Sequence, residues 1–393
     1  MEEVVDRLGR VQAEDVEQDE AWEAADLEAS VGSQPSNSHR RDGSPDVRQQ
    51  GAPVPFRISR RLASGCRTPG CNRTTLDGLS RCTGCRVALY CGREHQHADR
   101  PAHKEACSAI KKANLAYEKA ERELCDKKGD DVLRQELPRF WNTGASQPYM
   151  RARFALVESL LLVNTETAVG AALDHVLAML QLSRRDTMGM RDVVPALFLR
   201  LRRDQQAYDF CKWWVTAGRE RDYGWADKTS RYLDTQDADV FEDPRAFVRD
   251  ATVSLSLAVS VTLVKLRLLM DLLALQRDRQ IAAPKLPSEI TDQGFVHCTS
   301  SIIQSQRREL EREEQTLNTT MLRKHVAQLF AAVRQSNAHF WPALLRPGSH
   351  LEARPVVHGL GDTGQMQVVL RANHQAWAET KGAMEAVEEL LQS

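Results

Sequence analysis

Eight candidate metal donors fall within the 42 residues from Cys66 to Cys107, in four close pairs. The pairs are Cys66-x4-Cys71, Cys82-x2-Cys85, Cys91-x3-His95 and His103-x3-Cys107. Zinc takes four tetrahedral ligands from thiolate and imidazole, so eight donors make two closed sites with no position for a catalytic water. The segment's larger apolar side chains are few: Leu76, Leu79, Val87, Leu89 and Tyr90. A unit that small folds around metals or disulfides rather than an apolar core. The chain opens Met1-Glu2-Glu3, without the apolar stretch of a secretory leader. The expectation is therefore an intracellular protein of nucleus or cytoplasm, not secreted, whose clustered cysteines bind metal. Each structural zinc supplies roughly 10–16 kcal/mol of apparent binding energy. Cys125, Cys211 and Cys298 have no partner at ligand spacing and read as buried thiols.

The local pattern fits such a unit. Cys82-Thr83-Gly84-Cys85 makes a tight knuckle in which Gly84 relieves the turn. Arg86–Tyr90 alternates and favours a strand leading to Cys91. Pro101 opens a predicted helix from Ala102 to about Lys128. His103 and Cys107, four apart, share one face of it and can grip one metal. Ala106, Ile110, Ala113, Tyr117, Ala120 and Leu124 give that helix an apolar face.

The order Cys-x4-Cys, Cys-x2-Cys, Tyr-Cys-x3-His-Gln and Pro-x-His-x3-Cys resembles a MYND-type zinc finger. The resemblance implies interleaved ligands for two Zn2+ ions. The first would take Cys66, Cys71, Cys91 and His95, the second Cys82, Cys85, His103 and Cys107. His95 stands where the family more often has Cys, and zinc accepts either. His97 could compete as a ligand, but His95 keeps the spacing. The family also implies a protein partner, in characterised members a proline-rich peptide. Gln96 keeps one polar contact position. Arg100 replaces the Trp that commonly precedes the proline, so the aromatic platform for such a peptide is missing. The helical remainder, with Arg203-Asp204-Gln205 and Trp213-Trp214, is similar to fungal proteins that pair this finger with a long helical region.

The rest of the chain divides simply. Residues 1–62 read as a disordered acidic and polar tail, and Met1–Glu28 holds eleven acids against two arginines, a net −9. Residues 63–108 form the finger and 109–393 an all-helical domain, so the fold class is mainly α. Predicted helices run at about Tyr149–Val163, Glu166–Leu182, Met188–Leu201 and Gln205–Ala217, with Asn164 or Thr165, Asp186 and Asp204 as N-caps. Two successive hairpins are compatible with a tetratricopeptide-like arrangement or an irregular bundle. Further helices fall at about Ala251–Gln276, Cys298–Glu314, Asn318–Gln335 and Thr363–Leu391, the last weakened at Gly382. A Pro-bearing linker covers Ala282–Pro287. Ala251–Val264 carries no charge, but fourteen residues suit a core helix better than a membrane span.

A net charge of −1 gives no global attraction to nucleic acid. The finger itself carries seven Lys and Arg against four acids, a mild +3 that suits at most a weak nucleic-acid binder. A SET-type lysine methyltransferase, which can carry a MYND finger, needs an Asn-His cofactor motif and a C-terminal cysteine cluster. Val296-His297-Cys298 lacks the Asn, and the cysteine cluster is absent. The expected function is thus non-enzymatic: a zinc-binding adaptor or scaffold in transcriptional or ubiquitin-linked regulation.

Overall fold

The computed structural model describes residues 62–135, 140, 144–249, 254–282, 299–305 and 315–392. The acidic tail through residue 61, the Pro-bearing linker after Ala282, Cys298 and most of the helix expected before Glu314 lie outside the described residues. All the described residues belong to one compact unit.

The finger contributes two short antiparallel strands, β1 (Ser80–Arg81) and β2 (Leu89–Tyr90), with Ser80 opposite Tyr90 and Arg81 opposite Leu89. The expected strand from Arg86 is shorter because Arg86 takes a left-handed φ of 59°. Its N–H donates to the Cys82 carbonyl at 2.8 Å and closes the knuckle. Helix α1 (Arg93–Lys128) then leaves the finger. It begins eight residues before Pro101, so the proline sits inside the helix rather than opening it. An interior proline removes one backbone bond and costs about 3 kcal/mol. His95 lies before Pro101, with His103 and Cys107 after it, so metal binding on both sides offsets that cost.

After a single turn, α2 (Val132–Gln135), the chain forms an antiparallel pair, α3 (Gln147–Leu160) and α4 (Glu166–Leu182). The apolar face of α1 packs on α3. Of the two expected caps, Asn164 and Thr165, it is Thr165 that caps α4, accepting from the Ala168 N–H at 3.2 Å. A second pair follows, α5 (Val194–Arg200) and α6 (Asp204–Val215). Asp186 accepts from the N–H groups of Met190 and Arg191, at 2.6 and 2.9 Å, and caps the 3-10 turn before α5. Asp204 does not cap α6. It is the first residue inside that helix, and its carboxylate goes elsewhere. The Trp213-Trp214 pair is buried among Tyr223, Trp225 and Tyr232, with ring centroids 4.7–6.4 Å apart.

Past the short α7 (Arg245–Val248), α8 (Leu255–Ala282) forms the centre of the helical region. Its residues from Leu255 to Leu269 are buried on every side, as in a helix that is apolar all round. No helix among the described residues is long and apolar enough to cross a membrane. The short α9 (Ser301–Ser305) and α10 (Thr316–Ser336) follow, and α10 packs along α8. Helices α11 (Phe340–Leu345), α12 (Thr363–Ala378) and α13 (Ala383–Gln392) close the bundle. The predicted weak point at Gly382 is a complete break, where the chain turns with a left-handed φ of 83°. The two hairpins do not contact sequence neighbours alone, as solenoid repeats do. Helix α5 also packs on α8 and on the distant α12.

The charges that interrupt the apolar run of α8 turn inward. The Nζ of Lys265 donates to the carbonyls of Val240 and Glu242, both at 2.6 Å, and burial pushes its pKa down to about 8. Asp271 accepts from the N–H groups of Thr299 and Ser300 at 2.9 and 2.7 Å. Arg267 donates to Asp204 at 3.0 Å, to the Leu199 carbonyl at 2.9 Å and twice to the Thr380 hydroxyl. Buried charges are tolerated only when partnered in this way.

Candidate metal centres

The first donor cluster joins three pieces of chain. Cys66 and Cys71 sit on a loop pinned by the Cys66 N–H on the Arg73 carbonyl and the Cys71 N–H on the Thr68 carbonyl. Cys91 follows β2, and His95 occupies the first turn of α1. The second cluster sets the knuckle Cys82–Cys85, which follows β1, against His103 and Cys107 on α1. In each cluster all four donor atoms lie within 4.8 Å of one another.

These separations test the fit to zinc. With zinc–sulfur bonds of about 2.3 Å, two thiolates on a tetrahedron sit about 3.8 Å apart. The Cys71 and Cys91 sulfurs are 3.8 Å apart, and those of Cys82 and Cys107 are 3.7 Å apart. A disulfide needs about 2.05 Å. The imidazole edges agree: Cys85 Sγ to His103 Nε2 is 3.3 Å, and His95 Nδ1 lies 3.5 and 3.0 Å from the sulfurs of Cys66 and Cys91. His97 is exposed and is not among the clustered donors. The two clusters are those of a two-zinc finger, each with three sulfurs and one nitrogen.

The electrostatics show donors close enough to share protons: burial and the neighbouring Cys71 and Cys66 push the Cys91 thiol up to about 11, while Cys66 moves the other way. Burial raises the Cys66 thiol, but hydrogen bonds from the Thr68 and Cys91 backbone and from His95 outweigh it and bring the pKa down to about 6. Burial disfavours charge on His103, yet bonds to Cys82 and Cys85 lift it to about 9. Thiols and imidazoles that compete for protons in this way compete for positive charge, which a divalent cation supplies.

Gly84 has a different reason from turn strain. A Cβ there would come 2.7 Å from the Cys107 sulfur. The knuckle needs glycine because a ligand from α1 lies directly over it.

Asp99 is the residue the sequence reading missed. It is buried, accepts from the Tyr90 hydroxyl at 2.6 Å and pairs with Arg67. Burial first, then Asp99 itself, hold the Tyr90 hydroxyl well above the usual phenol range. One carboxylate thereby ties the Cys66 loop, β2 and α1 together. The signal was its spacing: Asp99 lies four residues from both His95 and His103, on the ligand-bearing face of α1.

The finger is clamped to the helical region. The Thr165 hydroxyl donates to the Val87 carbonyl at 2.9 Å, and a parallel bridge pairs Ala63 with Thr165. Of the two candidate peptide-contact residues, Gln96 is half-buried and Arg100 exposed. Cys211 is buried and Cys125 partly so, and burial pushes both thiols up.

The family described as MYND finger matches residues 66–107. The chain therefore carries a MYND finger, a zinc-binding protein-interaction module, over about a tenth of its length. Over 41 residues it is 46% identical to a Rho GTPase-activating protein, gacZ, of Dictyostelium discoideum. That match covers 10% of this chain and 4% of the relative. No solved structure matches the chain.

Proposed function

We propose that this protein is a non-enzymatic adaptor: its MYND finger binds a peptide segment of one partner, and its helical region presents a second surface. One observation carries this reading. Each donor cluster supplies four protein ligands, which close the zinc coordination and leave no open position for substrate. The finger's zinc is then structural, and its output is a shaped surface that includes Gln96 and Arg100. The partner segment in a finger of this type is proline-rich, and Arg100 changes how it is gripped by supplying a cation where an aromatic platform would stand. The setting is transcriptional or ubiquitin-linked regulation in nucleus or cytoplasm.

Affinity capture read by mass spectrometry tests this, using the full chain, Cys85→Ala and Gln96→Ala. A partner that is held by the wild type and lost from both variants supports the adaptor reading. Identical captures from all three chains contradict it.

A further inference from the structure

One face of α1 carries a row of basic side chains beside the zinc ligand Cys107. Arg93, His97, Arg100, Lys104 and Lys111 follow one another along it, and all five are exposed. At about 100° per residue they fall within about 60° of arc and extend about 27 Å along the axis. The buried residues Ala106, Ile110 and Leu124 face away from this arc. No acid shares the arc between Arg93 and Lys111. Glu94 and Glu105 lie about 100–120° round the helix from Arg93. Glu118, which accepts from the Asn114 side chain at 2.5 Å, marks the far end.

Three of these cations are also unspent. Arg100, Lys104 and Lys111 make no ion pair among the described residues. Arg100 and Lys104 stand four apart, where like charges repel and weaken a helix. This chain places Glu four residues from Lys elsewhere on α1, at Lys119 and Glu123. Arg100, Lys104 and Lys111 lack that compensation among the described residues.

We propose that this ridge docks an acidic segment of a protein partner lying alongside α1. The ridge is one residue wide, with Glu94 and Glu105 on one flank only. That suits a single chain with a carboxylate every turn or so. A nucleic-acid duplex carries a phosphate charge about every 1.7 Å of axis, far denser than a single row of cations spread over about 27 Å. The inference goes beyond the peptide contact assigned to Gln96, because Lys104 and Lys111 continue the surface away from it.

The test is fluorescence anisotropy with a labelled 20-residue polyglutamate peptide and the full zinc-loaded chain. A labelled 20-base-pair DNA duplex is measured in parallel. Lys104→Glu/Lys111→Glu weakens polyglutamate binding about tenfold at low salt, and raising the salt weakens the wild type similarly. Lys104→Gln/Lys111→Gln gives an intermediate loss. Unchanged zinc content and circular dichroism show that both variants fold. Gln96→Ala retains polyglutamate binding even where it loses the captured partner, so the two readings fail separately. Absent polyglutamate binding, binding indifferent to the charge reversals, or tighter binding of the duplex overturns the proposal.

Discussion

The Thr165 hydroxyl reaches from the start of α4 to the Val87 carbonyl, two residues beyond the zinc knuckle, at 2.9 Å. The same oxygen accepts from the Ala168 N–H, so one side chain caps a helix and anchors the finger. Thr165→Ala removes a cap worth about 1 kcal/mol. It also leaves the Val87 carbonyl without that donor, a penalty of about 1–3 kcal/mol. Urea unfolding of the zinc-loaded variant is expected to show a loss of about 2–4 kcal/mol. Thr165→Ser, which keeps the hydroxyl, recovers most of it.

This anchoring changes what chelation does. A finger that folded independently would melt alone and leave the helical domain intact. But α1 carries three of the eight ligands and also packs on α3. Stripping the zinc is therefore expected to reduce the helical circular dichroism by part of the share of Arg93–Lys128. It should also lower the melting temperature of the remaining helices. A melting temperature unmoved by chelator would show that the two parts are uncoupled.

Gly84 gives a selective test of the second metal site. In Gly84→Ala the new methyl meets the Cys107 sulfur at 2.7 Å. Elemental analysis is expected to find the variant reduced toward one zinc per chain, because the first site contains neither Gly84 nor Cys107.

The buried pair of Asp204 and Arg267 links α6 to α8 at 3.0 Å. Asp204→Ala strands a guanidinium in the core, a change that costs about 3–5 kcal/mol. The pair Asp204→Leu/Arg267→Met removes both charges and is expected to be less damaging than the single change. Denaturant titration of both variants measures the difference.

Acid sensitivity has a named contributor in His374. Burial holds its pKa down to about 4, against about 6.5 in the unfolded chain. Below pH 6.5 the unfolded state therefore binds the proton first. Stability is complete above that pH and is lost as the pH falls toward 4, by up to about 3 kcal/mol. His374→Phe should flatten the slope of unfolding free energy between pH 6.5 and 4 relative to the wild type. An identical slope would remove His374 from the account.

What could be read in advance follows from the range of each interaction. The ligands were legible because metal coordination fixes both residue type and spacing, and the core helix expected at Ala251–Val264 because its uncharged run is too short for a membrane. Thr165 was legible as a cap because capping is local. Asp204 was not, because the competing partner Arg267 lies 63 residues on. Lys265 and Asp271 likewise find their partners on other segments. Pro101 misled because local propensity favours it in a first turn, whereas ligands on both sides of it hold the longer helix.

The central claim is two closed zinc centres, each with three sulfurs and one nitrogen, and zinc X-ray absorption with elemental analysis on the purified full chain tests it most directly. The account predicts two zinc ions per chain and an average shell of three sulfurs at about 2.3 Å with one nitrogen at about 2.0 Å. One ion or none in fully loaded protein, or a shell containing water oxygen, would contradict it.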